Sequence, residues 1–439
     1  MNRMGNVAMR RWRVRAMAMA LTMAVAFGAR AADGGDFAAF DARARAGERL
    51  SVVFFGASLT WGANASDPAR TSYRARMAAR FEARYPRARF AFHDAAIGGT
   101  GSTLGVFRLD RDVIRWKPDL VFLDFTANDD IASDSPDPAA AYETILRRLT
   151  SEVRVPVVQV VFPFRWDVDR ARLPAMKRRE QHLALSQAYG TGFADAVGSI
   201  LERVEAGKET LDAIWPHDGV HPGDRGYDLF AQAAWRGFEA AVAEGRRGRI
   251  PKKPLFGDTF QRARRVRLAD LGELPAGWSR GRPALTAVNH DWLMSRWLDD
   301  LVVAADAADA VAPLRLQVDA AYILLFGQAS AESGRFRVRL DGKPVTVRDG
   351  PGAGKEVFEA NRWNGNGFLL YELASGLATD ADHLLEIEPV FEKGKARELR
   401  LESLCVAGGQ AEVRLATAAE ADPDGGAFND PRKTGGCTK

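Results

Sequence analysis

Ser58 is the residue whose position most directly suggests covalent chemistry. It follows the apolar segment 50–56, which predicts a buried strand, and it lies in a turn of small residues. A serine hydroxyl is a weak nucleophile until a neighbouring base takes its proton. A serine after a strand is also a common turn or helix N-cap residue, so a catalytic role for Ser58 depends on partner residues elsewhere in the chain.

His221 is the candidate base, within the segment WPHDGVHPGDRGY. Asp218, three residues earlier, can accept a hydrogen bond from Nδ1 of this histidine and fix its tautomer. The alternatives are a surface histidine beside a turn-capping aspartate, and a metal pair of His217 and His221. A metal pair at this spacing requires a helix, whereas the glycine between the histidines and the proline after them favour a loop. Among the other histidines only His93, beside Asp94, is kept as a reserve candidate.

Two further segments supply hydrogen-bond donors after predicted strands. The loop GGTGS at 98–102 contains glycines, which allow the backbone to approach a bound group and direct an N–H at it. Asn128, in the segment DFTAND, offers a side-chain amide, although an Asn-Asp pair alone is more often a turn. A phosphate cradle is the rival interpretation of the glycine loop, but neither G-x-G-x-x-G nor a Walker lysine is present. An open α/β sheet binds its ligand at the carboxyl ends of its strands, so we expect these donors to lie near Ser58.

The hydrophobic pattern predicts an α/β domain over residues 36–245. Short continuous apolar runs alternate with amphipathic stretches, which is typical of βαβ units around a mostly parallel sheet. The predicted strands are 50–56, 88–98, 119–127 and 156–164, and the clearest helices are 72–85, 139–153 and 222–245.

The pattern changes after a basic segment containing Gly and Pro, which predicts a linker at 246–258. Segments such as 335–348 alternate apolar and polar residues around an Asp-Gly turn, so an all-β sandwich of jelly-roll type is predicted over 259–410. This domain is a candidate carbohydrate-binding domain on pattern alone. A polar tail occupies 411–439.

Together the candidate site residues resemble the SGNH hydrolases, a branch of the GDSL esterase and lipase superfamily. The matching blocks are GASLT, AAIGGTGS, the Asn-Asp pair and Asp-Gly-Val-His, in the family's order along the α/β domain. The resemblance implies a flavodoxin-like three-layer α/β/α sandwich in which Ser58 is the nucleophile, His221 the base and Asp218 the residue that orients it. It also implies an oxyanion hole made of the backbone N–H groups of Ser58 and Gly99 and the side-chain amide of Asn128.

The chain departs from the family pattern at two positions. The family's Gly-Asp-Ser contains Ala57 here, and its Gly-x-Asn-Asp begins with Thr126. Neither change removes a residue that transfers a proton or donates to the oxyanion, but the first deletes a buried carboxylate that often braces the loops. A secreted bacterial subgroup with GGSIT-like first blocks is more similar to this chain than the lipases are.

The first 31 residues resemble a secretory signal peptide. A basic head precedes an apolar run at 16–29 and a small-x-small cleavage site. The run is shorter than the roughly 20 residues of a membrane span, so an uncleaved anchor is the less favoured alternative. Removing the segment's six arginines changes the formal net charge from +4 to −2. The sequence therefore predicts a periplasmic or secreted protein and gives no electrostatic case for a nucleic-acid partner.

The second domain contains candidate binding and cross-linking residues. Trp292, Trp297 and Trp363 are candidates for a sugar-stacking platform, with core or interface aromatics as the alternative. Cys405 and Cys437 can form a disulfide in an oxidising compartment or remain free thiols. Neither cysteine has a Cys or His neighbour at metal-ligand spacing, so we expect no zinc site.

These residues predict an exported serine esterase that removes acetyl or other short acyl groups from carbohydrate. Export, a glycine-lined site and an appended sandwich favour a small acyl group on a glycan over a long-chain lipid. The same triad can transfer acetyl to a sugar hydroxyl, which would make the protein an O-acetyltransferase. A degenerate enzyme that only binds glycans is the third interpretation, and the intact triad argues against it. We expect no metal, no organic cofactor and no stable membrane span after signal cleavage.

Overall fold

The structure of the protein is a computed structural model. It describes residues 35–283, 298, 300–305, 311–330, 332–360, 367–391, 398–417 and 420. The predicted signal peptide and most of the predicted polar tail lie outside the described residues. No helix within the described ranges is long and apolar enough to cross a membrane.

A parallel five-stranded sheet lies at the centre of the first domain, in the spatial order β2-β1-β3-β4-β5. The strands are β1 (Arg49–Gly56), β2 (Arg89–Ala96), β3 (Leu120–Leu123), β4 (Val157–Val161) and β5 (Gly192–Asp195). This order is the flavodoxin-like one, so the predicted α/β fold is confirmed. The order reverses between β1 and β3, and a ligand crevice forms outside the carboxyl ends of strands at such a switch point.

Helices cover both faces of this sheet. They are α1 (Phe37–Ala46), α2 (Ser58–Trp61), α3 (Tyr73–Arg84), α4 (Ser102–Asp112), α5 (Pro136–Arg148), α6 (Lys177–Tyr189), α7 (Ala196–Glu205), α8 (Leu211–Ile214) and α9 (Asp224–Ala243). In α9 the buried Tyr227, Phe230, Ala234 and Phe238 recur every three or four residues, which gives the helix one apolar stripe. One buried cluster packs α1, α3 and α9 on one face, and a second packs α4, α5 and α6 on the other.

The second domain consists of two antiparallel sheets. Its strands are β6 (Ala263–Arg267), β7 (Trp278–Gly281), β8 (Leu301–Ala305), β9 (Leu314–Asp319), β10 (Tyr322–Ala329), β11 (Arg335–Leu340), β12 (Lys343–Pro344), β13 (Val357–Glu359), β14 (Gly367–Ser375), β15 (His383–Val390), β16 (Glu398–Ala407) and β17 (Glu412–Leu415). Among the described residues one sheet has the order β14-β10-β16-β8-β7, with β6 also on β16. The other has the order β12-β11-β15-β9-β17, with β13 on β11. The predicted Asp-Gly turn joins β11 to β12, with positive φ at both Asp341 and Gly342.

The two domains share one buried cluster. The ring of Phe260 packs on Tyr322 with centroids 4.9 Å apart, and both belong to the cluster that also covers α4 and α5. The segment 246–258, predicted as a linker, is fastened to the first domain. The buried carboxylate of Glu143 accepts hydrogen bonds from two backbone N–H groups of this segment at 2.8 Å and from the Tyr189 hydroxyl at 2.8 Å. The sandwich is therefore held against the helices that follow β2 and β3.

Candidate active site

The turn that carries Ser58 folds back over the carboxyl end of β1. Ser58 is the first residue of the one-turn helix α2, which ends at Gly62 with φ 100°. A side chain at Gly56 would collide with the Thr60 side chain and the Asp124 carbonyl group, so the turn requires glycine there. The backbone N–H of a first helical residue has no partner within the helix. Ser58 therefore brings a hydroxyl and a backbone N–H to the same point at the mouth of the sheet.

His221 lies beside Ser58, although 163 residues separate the two in the chain. Its Nε2 atom is 3.0 Å from Oγ of Ser58, within reach for transfer of the serine proton. Its Nδ1 atom is 3.4 Å from Oδ2 of Asp218. Such contacts are often long in the absence of substrate. The structure thus places the three predicted triad residues in the order Asp, His, Ser.

Asp218 is held by hydrogen bonds from its own loop and from a second one. Its Oδ1 accepts from the backbone N–H groups of Val220 and His221, each at 2.7 Å. Its Oδ2 accepts from the side-chain amide of Asn64 at 2.7 Å. Burial acts to raise the pKa of Asp218, but these hydrogen bonds outweigh burial and hold that pKa below its ordinary value. Asn64, which sequence reasoning missed, therefore helps to keep this carboxylate ionised and fixed.

Gly99 and Asn128, the other predicted oxyanion donors, lie in two loops that the structure joins. Gly99 has φ 70°, a conformation that favours glycine. Next to the exposed Asn128, the carboxylate of Asp129 is buried. Its Oδ1 accepts from the Ser102 backbone N–H at 2.8 Å, and its Oδ2 accepts from the Ser102 hydroxyl group. Asp129 therefore fixes the Asn128 segment relative to the loop of Gly99.

A second buried carboxylate, Asp124, fastens the nucleophile turn. Its Oδ2 accepts a hydrogen bond from the Thr60 hydroxyl at 2.8 Å, and Thr60 belongs to the same turn of helix as Ser58. Burial raises the pKa of Asp124 to about 7 against the opposing Thr60 hydrogen bond, and the charge of Asp129 adds to the rise. Burial likewise raises the pKa of Asp129 to about 6, against the hydrogen bonds from Ser102.

The other candidate histidines have different settings. His93, the reserve candidate, stacks on Trp116 with ring centroids 4.2 Å apart, and burial and Arg115 lower its pKa. His182 is fully buried and its ring stacks on Tyr142. His217 is exposed. Across the described ranges no group of three or more His, Cys, Asp or Glu side chains is arranged to hold a metal ion.

A second serine motif, G-W-S-R-G at 277–281, was also missed from the sequence. Its spacing is that of the nucleophile elbow of α/β hydrolases, which requires a sharp strand-to-helix turn. In the structure the motif forms strand β7, where the exposed Ser279 pairs with Val303 of β8. The motif therefore lacks the backbone geometry of an elbow.

Trp166 is a further residue near the site that sequence reasoning missed. It lies in the short helical turn 165–167 after β4, and it is 48% exposed. A Cβ atom at Gly219, the residue after Asp218, would lie only 2.8 Å from the Trp166 ring. The backbone N–H of Arg165 donates to the carbonyl of Gly219 at 2.8 Å. The loop after β4 thus packs directly on the loop that carries Asp218. The sequence signal that could have identified Trp166 was its position, with Phe164, shortly after the apolar strand β4.

The second domain reaches the donor loop through Phe368 of β14. The ring of Phe368 would lie 3.6 Å from a Cβ atom at Gly99, and it stacks on Phe326 of β10. This contact places the sandwich beside one of the predicted oxyanion donors.

Several predicted residues of the second domain have no described position. The candidate stacking residues Trp292, Trp297 and Trp363 lie outside the described residues, so their role stays a prediction. Cys405 is buried and has no disulfide partner among the described residues, and burial raises the pKa of its thiol to about 12. Its proposed partner Cys437 lies outside the described residues, so the disulfide also stays a prediction.

Comparison with known proteins concerns both domains. Residues 54–229 match the family model described as the GDSL-like Lipase/Acylhydrolase family. No curated protein is significantly similar to the chain in sequence. A solved two-domain esterase (CEX) active on acetylated mannans matches 84% of this chain and 94% of its own, with TM-score 0.64 and 22% identity. Its structure co-crystallized with mannopentaose matches equally well at 23% identity. The two-domain fold is therefore shared.

A further solved structure matches a smaller share of this chain. The acetylxylan esterase Axe2 from Geobacillus stearothermophilus covers 43% of this chain and 94% of its own, with 22% identity and TM-score 0.35. At this TM-score the likeness carries no argument about the present chain.

Proposed function

Because residues 54–229 match the family model described as the GDSL-like Lipase/Acylhydrolase family, we propose that the protein is an exported serine esterase that removes acetyl groups from carbohydrate. The observation that carries this proposal is the 3.0 Å contact between Nε2 of His221 and Oγ of Ser58. At that distance the imidazole can take the serine proton as the hydroxyl attacks an ester carbonyl.

In the first step Ser58 Oγ forms a bond to the acetyl carbon while its proton passes to Nε2 of His221. The carboxylate of Asp218 stabilises the resulting imidazolium through Nδ1. The carbonyl oxygen becomes an oxyanion, which accepts hydrogen bonds from the backbone N–H groups of Ser58 and Gly99 and the amide of Asn128. When the intermediate collapses, the bond to the sugar oxygen breaks and His221 returns its proton to that oxygen.

In the second step water resolves the acetyl-serine. His221, neutral again, takes a proton from water as the hydroxide forms a bond to the acetyl carbon. The same donors stabilise the second oxyanion, and collapse releases acetate and restores the Ser58 hydroxyl. No group other than these side chains and backbone donors is needed for atoms and charges to balance.

Three features support an acetylated glycan as the substrate class. The two-domain esterase that shares this fold is described as active on acetylated mannans, which supports an acetylated glycan. The predicted signal peptide at 1–31 supports export, where such polymers are accessible. The Phe368 contact beside Gly99 supports a site bounded on one side by the sandwich.

The test is acetate release from a panel of O-acetylated polysaccharides and from p-nitrophenyl acetate. We expect the parent protein to release acetate, Ser58→Ala to be inactive, and Ser279→Ala, the matched control at the exposed G-W-S-R-G serine, to retain parent activity. A fluorophosphonate should label the parent and Ser279→Ala but not Ser58→Ala. Equal inertness of parent and Ser58→Ala on every ester, with no labelling, would contradict the esterase proposal and favour a glycan-binding protein. Labelling without hydrolysis would favour transfer to a sugar acceptor.

A further inference from the structure

Trp166 is held firmly although nearly half of its surface is exposed. Phe164, two residues earlier, packs against its ring with centroids 5.1 Å apart. The carboxylate of the buried Asp167 accepts from the Phe164 backbone N–H at 2.9 Å and so closes the turn. Arg165 pairs with Asp212 at 2.5 Å and ties the turn to α8. The indole is therefore presented in a defined orientation.

The position of this indole links it to the proposed catalytic loop. Trp166 follows β4, the neighbour of β3 in the sheet, and therefore lies at the same sheet edge as Asn128. Gly219 directly follows Asp218 in the loop that continues to His221. Because glycine at 219 has no side chain, the Trp166 ring can approach this loop closely. An exposed aromatic at a catalytic loop is placed to contact substrate.

The surroundings of Trp166 favour a sugar ring over a lipid chain. Its neighbours in the chain, Arg165, Asp169 and Arg170, are charged and at least partly exposed. The other large hydrophobic residues with marked exposure in the described ranges lie on α6 and in the segment after α9: Leu183, Ile250 and Leu255. A lipid would require a contiguous apolar patch, which a single indole among charges does not supply.

We propose that Trp166 forms a sugar-binding subsite beside the loop that carries Asp218 and His221, in which one face of the indole stacks on the C–H face of a pyranose ring of the acylated glycan. An aromatic face carries partial negative charge and attracts the partial positive charge of C–H groups, while the hydroxyl groups of the sugar remain in contact with water or charged neighbours. The inference rests on the proposed esterase function and assigns that site a residue that positions its substrate.

The test compares two substrates that differ in whether they can reach the subsite. An O-acetylated oligosaccharide spans Ser58 and Trp166, whereas p-nitrophenyl acetate carries no sugar ring. For Trp166→Ala we expect the ratio of kcat/KM for oligosaccharide to kcat/KM for p-nitrophenyl acetate to fall about tenfold, mainly through KM. Trp166→Phe should restore most of the ratio. Leu183→Ala, which removes another exposed hydrophobic side chain, on α6, should leave the ratio unchanged.

Two outcomes would overturn the subsite. An unchanged ratio for Trp166→Ala would show that the indole does not contact the sugar. A parallel loss on both substrates, which Trp166→Phe does not rescue, would show that Trp166 only supports the catalytic loop.

Failure of the proposed function would be visible separately. In that case the parent cleaves p-nitrophenyl acetate but no acetylated glycan. Binding of the same oligosaccharides to Ser58→Ala and to the double variant with Trp166→Ala, measured by calorimetry, then decides the subsite. Binding that depends on Trp166 supports it, and binding that is absent or independent of Trp166 overturns it.

Discussion

Replacing Asp124 with asparagine should change how the stability of the protein depends on pH. Asp124 is 2% exposed, and in the folded protein its pKa rises from 3.8 to about 7, first because of burial and also because of the charge of Asp129. A carboxyl group with a raised folded pKa binds its proton more tightly in the folded state than in the unfolded state. Its effect therefore destabilises the fold as pH rises from about 4 to about 7 and then becomes constant.

The magnitude follows from the difference between the two pKa values. Each unit corresponds to about 1.4 kcal/mol, so the full cost above pH 7 is about 4 kcal/mol. About 1–2 kcal/mol of this destabilisation is already present at pH 5. The protein therefore loses a further amount of about 2–3 kcal/mol of stability between pH 5 and pH 8. Asparagine has the same shape, keeps an oxygen that can accept from the Thr60 hydroxyl and cannot ionise.

Urea unfolding at pH 5 and pH 8 measures this effect directly. We compare how far the unfolding free energy of each protein falls from pH 5 to pH 8. We expect this fall to be about 2–3 kcal/mol smaller for Asp124→Asn than for the parent. Glu82→Gln, at an exposed position on α3, is the matched control and should follow the parent. An equal pH dependence for parent and Asp124→Asn would refute the assignment of a raised pKa to Asp124.

Three further perturbations test the site and its support. Asn128→Ala should fold normally and lose about 10²–10³ in kcat on p-nitrophenyl acetate, because it removes one oxyanion donor; a loss below threefold would contradict that role. Asp218→Asn should lower kcat by about 10³–10⁴ with an unchanged circular dichroism spectrum, because the amide cannot stabilise the imidazolium; parent-like turnover would argue against the triad. Glu143→Ala should lower the unfolding free energy by about 3 kcal/mol in urea titration, because buried donors lose their acceptor, whereas Glu152→Ala at a 53% exposed ion pair should cost under about 1 kcal/mol. Equal losses for the two glutamate variants would contradict the anchoring role of Glu143.

Local patterns were sufficient to predict the α/β class and most of its strands. The segment 50–56 is continuous and apolar because β1 is buried on both faces of the sheet, with Phe54 in one cluster and Phe55 in the other. The final helix is recognisable from its spacing of apolar residues and from its Pro and Gly boundaries. By contrast β5, Gly192–Asp195, has only four residues and two apolar side chains, so its sequence gives no strand signal.

Contacts distant in sequence account for what the sequence could not predict. Asn64 meets Asp218 across 154 residues, and Trp166 meets the loop of Gly219 across the carboxyl ends of the sheet. The spacing of neighbouring residues in the sequence cannot predict contacts between segments so far apart. The strand order of the sandwich is hidden for the same reason, since β10 lies between β14 and β16, which are distant from it in the chain.

Two buried carboxylates in the segment after β3 explain how the site is braced without the family's first-block aspartate. Ala57 is buried in the position of that aspartate and makes no side-chain hydrogen bond. Asp124 holds the nucleophile turn through Thr60, and Asp129 holds the donor loop through Ser102. Each loop thus has its own acceptor in the segment that follows β3, the strand that adjoins β1 at the switch point. Because burial raises the pKa of both carboxyl groups, their ionisation costs stability, and the site is fixed at that cost. Such a cost is expected where position matters more than stability.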